Sequence, residues 1–323
     1  MPRQLSFVVI IFMSLWLACF SLPILAQTQL ATHHKNIGDD GLVIREKTQV
    51  VTLNVTVTDS RNRPVVGLTR NNFDVYEDKV KQNIEYFVET DVPVSVGIIF
   101  DVSASMESKL TKARAALQAF VQTSHPDDDF FLVTFNQQAQ LAADYTDGET
   151  VVNKMTYLKT SGGTALYDAV YLGLDKLKNA RHKKQVLIVI SDGEDNSSRY
   201  SLRELGKFIK ESDALIYSLS VSATAGSNCN QLCQTYAKRA LDEMSGFTGG
   251  RAFFPVGLAE LEQATVQIAL ELRRQYSLGY VSTRTDRDSK WRKIATKVKS
   301  EKGALEVSTR LVVRTKDGYY AIP

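Results

Sequence analysis

The 323-residue sequence has few of the residues that build zinc, nucleotide or nucleophilic sites. It contains three cysteines and four histidines, and neither Cys229 nor Cys233 has a histidine near it, which argues against zinc. No G-x-G-x-x-G segment follows a predicted strand, no G-x-S-x-G elbow occurs, and the histidines flank no candidate nucleophile. These absences count against a dinucleotide enzyme and a serine hydrolase.

The chain also lacks an excess of charge of either sign. Its formal net charge is +3, and no basic run is dense enough to indicate a membrane-surface patch. A charge this close to zero gives no electrostatic reason to expect nucleic acid as a partner. An apolar fraction of 44% and a charged fraction of 23% are ordinary for a soluble globular protein, and the length allows one large or two modest domains.

The first residues have the pattern of an export signal. Arg3 precedes a long apolar stretch, and the helix-breaking Pro23 suits cleavage before Gln27. We therefore predict a signal peptide over residues 1–26 and an exported protein, either periplasmic or secreted. The alternative is an uncleaved N-terminal membrane anchor, because the apolar stretch is nearly long enough to span a bilayer.

The pattern of apolar residues divides the rest of the chain into blocks. After a polar, flexible leader over 27–42, the block 43–91 contains alternating, half-buried strand patterns such as QVVTLNVTVT at 49–58. Residues 92–275, here the α/β block, alternate buried apolar strands with helices, which predicts a doubly wound, mostly parallel sheet. Residues 276–323 return to short β segments.

The two β blocks are each too small to bury a core alone. We therefore expect them to fold together into one β-sandwich-like domain, into which the α/β block is inserted. The alternative is that they are unrelated appendages that pack separately on the α/β block.

Oxygen-bearing side chains follow the predicted buried strands at their carboxyl ends. D-V-S-A-S contains Asp101, Ser103 and Ser105, S-G-G-T ends at Thr164, and I-S-D-G contains Asp192. Ligands of open α/β sheets bind beyond the carboxyl ends of the strands, so the three loops can converge on one point. Hydroxyls and carboxylates are hard donors, which favour Mg²⁺, with Mn²⁺ or Ca²⁺ as alternatives.

Each of these residues also has an ordinary structural interpretation. Ser103, Ser105 and Thr164 could cap the helices that follow them, and Asp192 could be a turn residue. We prefer the metal site because all five positions occur together at strand ends. Asp168, one helical turn past Thr164, is interpreted as a first-turn helix charge or as support for the ligands.

Cys229 and Cys233 are candidates for a disulfide in an oxidising compartment. On a regular helix, residues four apart have Cβ atoms ~5–6 Å apart, too far for a bridge. Pairing therefore needs a loop or a bent turn, and two free thiols are the alternative.

The motifs D-V-S-A-S, G-G-T and I-S-D-G, in this order, resemble the metal-ion-dependent adhesion site of von Willebrand factor A domains. The resemblance covers the α/β block. It implies that Ser103, Ser105 and Thr164 contact the cation, and that Asp101 and Asp192 act largely through water. More loosely, the flanking segments are similar to those of bacterial exported proteins that carry this domain.

The ligand chemistry predicts docking rather than catalysis. A six-coordinate cation held mainly by neutral hydroxyls stays electrophilic and keeps a position for an outside ligand. We therefore expect a non-enzymatic adhesion module that docks a carboxylate of a protein partner, for example at a cell surface or envelope, with no nucleic acid and no small-molecule substrate. One alternative is an interaction protein that binds through its β domain and has a vestigial metal site. A less favoured one is a Mg²⁺-dependent hydrolase.

Overall fold

The computed structural model describes residues 50–89, 91–221, 231–286, 288–299 and 311–321. The predicted signal peptide at 1–26 and leader at 27–42 lie outside these residues, as do Cys229 and the side chain of Cys233. The signal peptide and the disulfide therefore stay predictions. Within the described ranges, no helix is both long enough and apolar enough to cross a membrane.

The described chain is built of strands and helices in the following order along the sequence. The strands are β1 (Val50–Thr58), β2 (Phe73–Glu77), β3 (Val80–Gln82), β4 (Ile84–Glu89), β5 (Val94–Asp101), β6 (Asp129–Phe135), β7 (Ala139–Thr146), β8 (Lys184–Ser191), β9 (Leu215–Ser220), β10 (Ala252–Phe253), β11 (Tyr276–Val281), β12 (Trp291–Val298), β13 (Val312–Arg314) and β14 (Gly318–Tyr320). The helices are α1 (Leu110–Gln122), α2 (Gly148–Met155), α3 (Leu166–Leu177), α4 (Leu202–Glu211), α5 (Gln231–Gly246) and α6 (Leu258–Arg273).

A six-stranded sheet lies at the centre of the α/β block, in the order β10-β9-β8-β5-β6-β7. Neighbouring strands pair in parallel from β10 to β6, and β7 runs antiparallel to β6. Every residue of β5 is buried, as expected of a strand that is covered on both faces. The buried side chains therefore form two clusters, one on each face of the sheet.

Helices cover both faces of this sheet because each has one apolar face. On one side, Leu117 of α1 and Ile268 of α6 pack against the strands. On the other side, Val170 of α3 packs in the second cluster. Helix α3 approaches the sheet closely at Gly173, where an added Cβ would lie 2.5 Å from Ile99 Cδ1. Sequential strands joined by helices bring the carboxyl ends of β5 and β8 side by side, and this positions the candidate site.

Strands from both ends of the described chain form two further four-stranded sheets. Their orders are β13-β1-β11-β4 and β14-β12-β2-β3, so each sheet combines strands from before and after the α/β block. The antiparallel register of β1 on β11 places Leu53 opposite Leu278, and both side chains are fully buried in a shared cluster. The predicted fold class, an α/β sheet inserted in a β-sandwich-like domain made of the two flanks, is confirmed. The residue boundaries of the domains stay predictions.

Some strands of the structure have no clear pattern in the sequence. β7 was not predicted, and β3 and β14 are three-residue strands without a periodic signal of their own. These strands depend on pairing with β6, β2 and β12, which a local pattern does not report. The edge strand β10 is short and contains only Ala252 and Phe253.

Candidate metal centre

Asp101 is the last residue of β5, and its side chain is fully buried. Its Oδ1 accepts a hydrogen bond from the Ser103 amide at 2.8 Å, and its Oδ2 accepts one from the Ser191 hydroxyl at 2.6 Å. Burial raises the pKa of this carboxyl to about 6; the hydrogen bonds oppose the rise, and the charge of Asp192 adds to it. A buried carboxylate with neutral donors would be stabilised by a cation beside it.

The two serines lie on a tight turn directly after β5. A short 3-10 helix spans Ala104–Met106 within this turn. The hydroxyl oxygens of Ser103 and Ser105 lie 3.1 Å apart, and the Ser105 hydroxyl donates to Asp192 Oδ2 at 2.7 Å. In the described structure no side chain makes a capping hydrogen bond to this 3-10 helix or to α1. The helix-capping interpretation of the two serines therefore finds no support.

Thr164 lies in the loop before α3, and backbone hydrogen bonds hold this loop beside the serine turn. The Ala104 amide donates to the Gly162 carbonyl at 3.1 Å. The Thr164 amide donates to Asn196 Oδ1 at 2.9 Å, and the Thr164 carbonyl accepts from the Asn196 amide at 2.9 Å. The first-turn amides of α3, at Tyr167 and Asp168, donate to the Ser198 hydroxyl at 3.0 and 3.2 Å, so Ser198 rather than the buried Thr164 caps this helix.

Asp192 directly follows β8, and its two carboxylate oxygens make different contacts. Its Oδ1 accepts a hydrogen bond from the Glu194 amide at 3.2 Å, which is the turn interaction that the ordinary interpretation expects. The turn needs glycine at Gly193, where φ is +86° and an added Cβ would lie 2.8 Å from the Ala237 carbonyl oxygen. The other carboxylate oxygen, Oδ2, remains directed at the serine turn.

Lys109 is a residue of this site that the sequence analysis did not single out. Its ammonium lies 2.7 Å from Asp192 Oδ2, and its side chain is only 8% exposed. Lys109 is the residue before α1, a position where the positive end of the helix dipole disfavours a cation. That position was the one signal in the sequence, and it is weak because lysines at helix ends are usually solvated.

Four of the five predicted ligands lie on one chain of hydrogen bonds at the edge formed by β5 and β8. The chain passes through Asp101, Ser103 and Ser105 to Asp192, and Thr164 joins through the backbone contact of its loop. The pooled donors are three hydroxyls and two carboxylates, a hard set that fits Mg²⁺. Over the described ranges, no group of three or more His, Cys, Asp or Glu side chains is placed to hold a metal. The candidate site is not such a group, because only two of its five donors are carboxylates and the other three are hydroxyls.

Asp168 is directed at a neighbouring loop. Its carboxylate pairs with the Arg199 guanidinium at 2.8 Å and accepts a hydrogen bond from the Arg199 amide at 3.0 Å. The same loop contains Asn196, which holds the backbone of Thr164. Asp168 therefore fixes the loop that positions a predicted ligand, and its role as support for the ligands stays a prediction.

The sequence of the α/β block matches a known domain family. Residues 96–194 match the sequence profile of the von Willebrand factor type A domain, and all five predicted ligands fall within this range. The chain therefore contains a von Willebrand factor type A domain. No protein with a curated description is significantly similar to the chain.

Several solved structures are similar to this chain at low sequence identity. An aerotolerance-related membrane protein from Bacteroides fragilis has 18% identity and a TM-score of 0.45, over 55% of this chain and 98% of that chain. A von Willebrand factor type A protein from Catenulispora acidiphila has 13% identity and a TM-score of 0.45, over 83% and 74%. The von Willebrand factor domain of the type V pili tip protein Mfa5 from Porphyromonas gingivalis has 14% identity and a TM-score of 0.45, over 56% and 95%. These similarities are too distant to carry an argument about function.

Proposed function

We propose that the von Willebrand factor type A domain of this chain binds one divalent cation and uses it to dock a carboxylate of a protein partner. The observation that carries this proposal is the chain of hydrogen bonds that brings Asp101, Ser103, Ser105 and Asp192 together at one sheet edge. The protein is a binding module rather than an enzyme. Its partner lies in the envelope, at the cell surface or outside the cell.

The hydrogen bonds orient the serine hydroxyls for this task. A hydroxyl has one proton and two acceptor lone pairs, and Ser105 donates its proton to Asp192. The Ser103 hydroxyl must then donate to Ser105 at 3.1 Å, which leaves one lone pair of Ser105 and both lone pairs of Ser103 to face a cation. Ser105 is also exposed, whereas Ser103 is buried, so an outside ligand would approach from the side of Ser105.

Ser103, Ser105 and Thr164 would hold the cation, and Asp101 and Asp192 would supply most of the negative charge around it. When bound, the cation supplies an electrophilic position for an oxygen of the partner. Mg²⁺ is the proposed ion because the donors are hard and few of them are charged. Mn²⁺ and Ca²⁺ remain alternatives.

Partner capture in the presence and absence of EDTA tests the docking function. The immobilised protein is incubated with surface material of the native organism, and Asp101→Asn is compared with the control Asp175→Asn, whose carboxylate is 57% exposed. We expect wild type and Asp175→Asn to retain a partner in Mg²⁺ and release it in EDTA, and Asp101→Asn to retain none. Retention that ignores EDTA would instead favour binding through the β domain.

The non-enzymatic part of the proposal has its own test. A phosphatase of the haloacid type requires a second carboxylate two residues after the first, and this chain has Ser103 at that position after Asp101. We expect no release of phosphate from phosphate esters in Mg²⁺. Steady Mg²⁺-dependent release of phosphate that is lost in Asp101→Asn would show that the site hydrolyses phosphate esters, and it would contradict a docking function.

Export is tested by the N-terminus of the mature protein. We propose cleavage before Gln27, as the sequence pattern indicates. Mass spectrometry of the protein recovered from the native cells should find this N-terminus in the periplasmic or secreted fraction. An intact N-terminus in the membrane fraction would show an anchored protein instead.

A further inference from the structure

We infer that Lys109 is a resident counter-ion of the cation site: it holds Asp192 when no metal is bound and lowers the affinity of the site for a divalent cation. The inference deepens the proposed function and rests on it.

The first observation is the buried ion pair. The Lys109 ammonium lies 2.7 Å from Asp192 Oδ2, and the two side chains are only 8% and 7% exposed. Among the described residues, Asp192 is the one acceptor of this ammonium. A buried ammonium without a partner is costly, so Asp192 is the group that permits Lys109 to be buried.

The second observation is that Lys109 and a predicted metal ligand share one oxygen. Asp192 Oδ2 accepts both the Lys109 ammonium and the Ser105 hydroxyl, each at 2.7 Å. The ammonium is therefore an immediate neighbour of the oxygens that would surround the cation. The Lys109 amide donates to the Met106 carbonyl, and the Lys109 carbonyl accepts from the Ala113 amide, so the serine turn and α1 fix the base of this side chain.

The electrostatic consequence has a definite sign. Asp101 and Asp192 contribute two negative charges to the site, and Lys109 removes one of them from the balance. Glu194 lies in the same turn, and its charge interacts with both Asp192 and Lys109. Glu194 is present both in the wild type and in a variant without Lys109. The loss of Lys109 therefore makes the site more negative by one charge. Two positive charges a few ångströms apart repel strongly where water is excluded, so the ammonium weakens cation binding.

This arrangement gives Lys109 a part in partner selection. With the ammonium present, the site is one charge more positive in every state. A cation is held less tightly, and an acidic group of a partner is attracted more strongly. Lys109 therefore favours a cation that is bound together with an acidic partner over a cation that is bound alone.

Titration of Mg²⁺ and of Mn²⁺ into the purified full-length protein tests the inference. Lys109→Met keeps much of the side-chain volume without the charge, and Lys109→Gln keeps a hydrogen-bond donor for Asp192 if the first variant fails to fold. Lys109→Arg keeps the charge. Lys176→Met is the matched control, because Lys176 pairs with Asp144 at 2.6 Å in the same domain but away from the site.

We expect the dissociation constant for both ions to fall at least ~10-fold in Lys109→Met and Lys109→Gln. The constant should change little in Lys109→Arg and Lys176→Met. Thermal unfolding gives a second readout: the neutral variants should melt well below wild type in EDTA and recover most of the difference in Mg²⁺, because the ion replaces the missing partner of Asp192.

The outcomes separate this inference from the proposed function. Equal or weaker ion binding by both neutral variants, with a melting deficit that Mg²⁺ does not repair, would overturn the inference and leave the metal site of the wild type standing. Binding by the neutral variants but not by wild type would support the inference and contradict a metal-dependent wild type. No binding by any variant would overturn both.

Discussion

A buried aspartate lies at each end of β5, and the two carboxylates are satisfied in different ways. At the first residue of the strand, Asp128 accepts the Val94 amide at 2.7 Å and pairs with the Arg273 guanidinium at 2.8 Å. At the last residue, Asp101 accepts an amide and a hydroxyl, and the nearby Asp192 adds a like charge. Burial raises the pKa of both carboxyls, but the Arg273 guanidinium opposes the rise at Asp128. At the Val94 end, a cationic side chain already neutralises the buried carboxylate. At the Asp101 end, both hydrogen-bond donors are neutral, so a cation would stabilise the carboxylate.

A buried lysine also lies at each end, and the contrast repeats with the charges reversed. Lys184, which pairs with Val94 in the sheet register, donates to the Leu272 carbonyl, and burial lowers its pKa to about 7. Lys109 instead donates to the Asp192 carboxylate. The carbonyl offers no full charge to Lys184, so its ammonium is costly. The ammonium of Lys109 is neutralised by a group that a metal would also use.

The largest change in the free energy of unfolding is expected from the loss of Asp128, at the Val94 end of β5. Asp128→Ala removes the partner of Arg273 and the acceptor of the Val94 and His125 amides. Loss of one member of a buried pair costs about 3–5 kcal/mol, and we expect a reduction in the free energy of unfolding near the lower value because Arg273 also contacts Asp91. Urea denaturation measures it. A loss below about 1 kcal/mol would mean that this end is not a structural joint.

The next effect is a pH dependence that belongs to Lys184. The pKa of Lys184 is about 7 in the folded protein, against 10.5 ordinarily, so the unfolded state binds more protons between these values. The stability of the wild type should therefore rise with pH across this window, by up to about 1.4 kcal/mol per pH unit from this group. In Lys184→Met that contribution is absent.

Urea denaturation of both proteins between pH 7.5 and pH 9.5, a span of about two units, checks the slope; the expected difference over this span is about 2–3 kcal/mol. The stability of the wild type should rise relative to that of Lys184→Met as the pH rises. Parallel curves would show that Lys184 keeps an ordinary pKa in the folded protein.

A smaller change in the free energy of unfolding, of opposite sign, is expected at the Asp101 end of β5. Asp101→Asn keeps the shape of the side chain and removes a buried charge whose pKa is raised from 3.8 to about 6. Without metal at pH 7, this charge costs the wild type stability, so Asp101→Asn in EDTA should be more stable by about 1–3 kcal/mol. The stabilisation by Mg²⁺ should disappear at the same time. If Asp101→Asn were destabilised in EDTA as much as Asp128→Ala, the contrast between the ends of β5 would be wrong.

The smallest change in stability is expected at Ser105. Its side chain is exposed, and Ser105→Ala removes one hydrogen bond to Asp192, which is still paired with Lys109. We expect a loss of no more than about 1 kcal/mol by thermal or chemical unfolding. Cation affinity should nevertheless fall by ~10–100-fold, the scale typical of losing support at a metal site. Unchanged affinity would remove Ser105 from the ligand set.

The sequence contained enough information to predict the central sheet and the loops that meet at its edge. The apolar run that becomes β5 is buried on both faces, so its composition alone identifies a central parallel strand. Because parallel strands present their carboxyl ends at one edge, the order of the three motifs was enough to predict that their loops would meet.

The remainder depended on contacts between distant residues. β7 is an edge strand with a mixed exposure pattern, and its place is fixed by pairing with β6. The partner of Lys109 is 83 residues away along the chain, at Asp192. No local pattern reports that pairing, so the sequence did not identify Lys109 as the partner of Asp192.

Isothermal titration of Mg²⁺ and Mn²⁺ into the purified protein tests most directly whether the Asp101 end of β5 is a cation site. Wild type, Asp101→Asn and the surface control Asp175→Asn are compared under the same buffer conditions. We predict that wild type and Asp175→Asn take up one ion per chain, and that Asp101→Asn takes up none in the same concentration range. Absence of uptake by the wild type, or equal uptake by Asp101→Asn, would contradict a metal-dependent binding module.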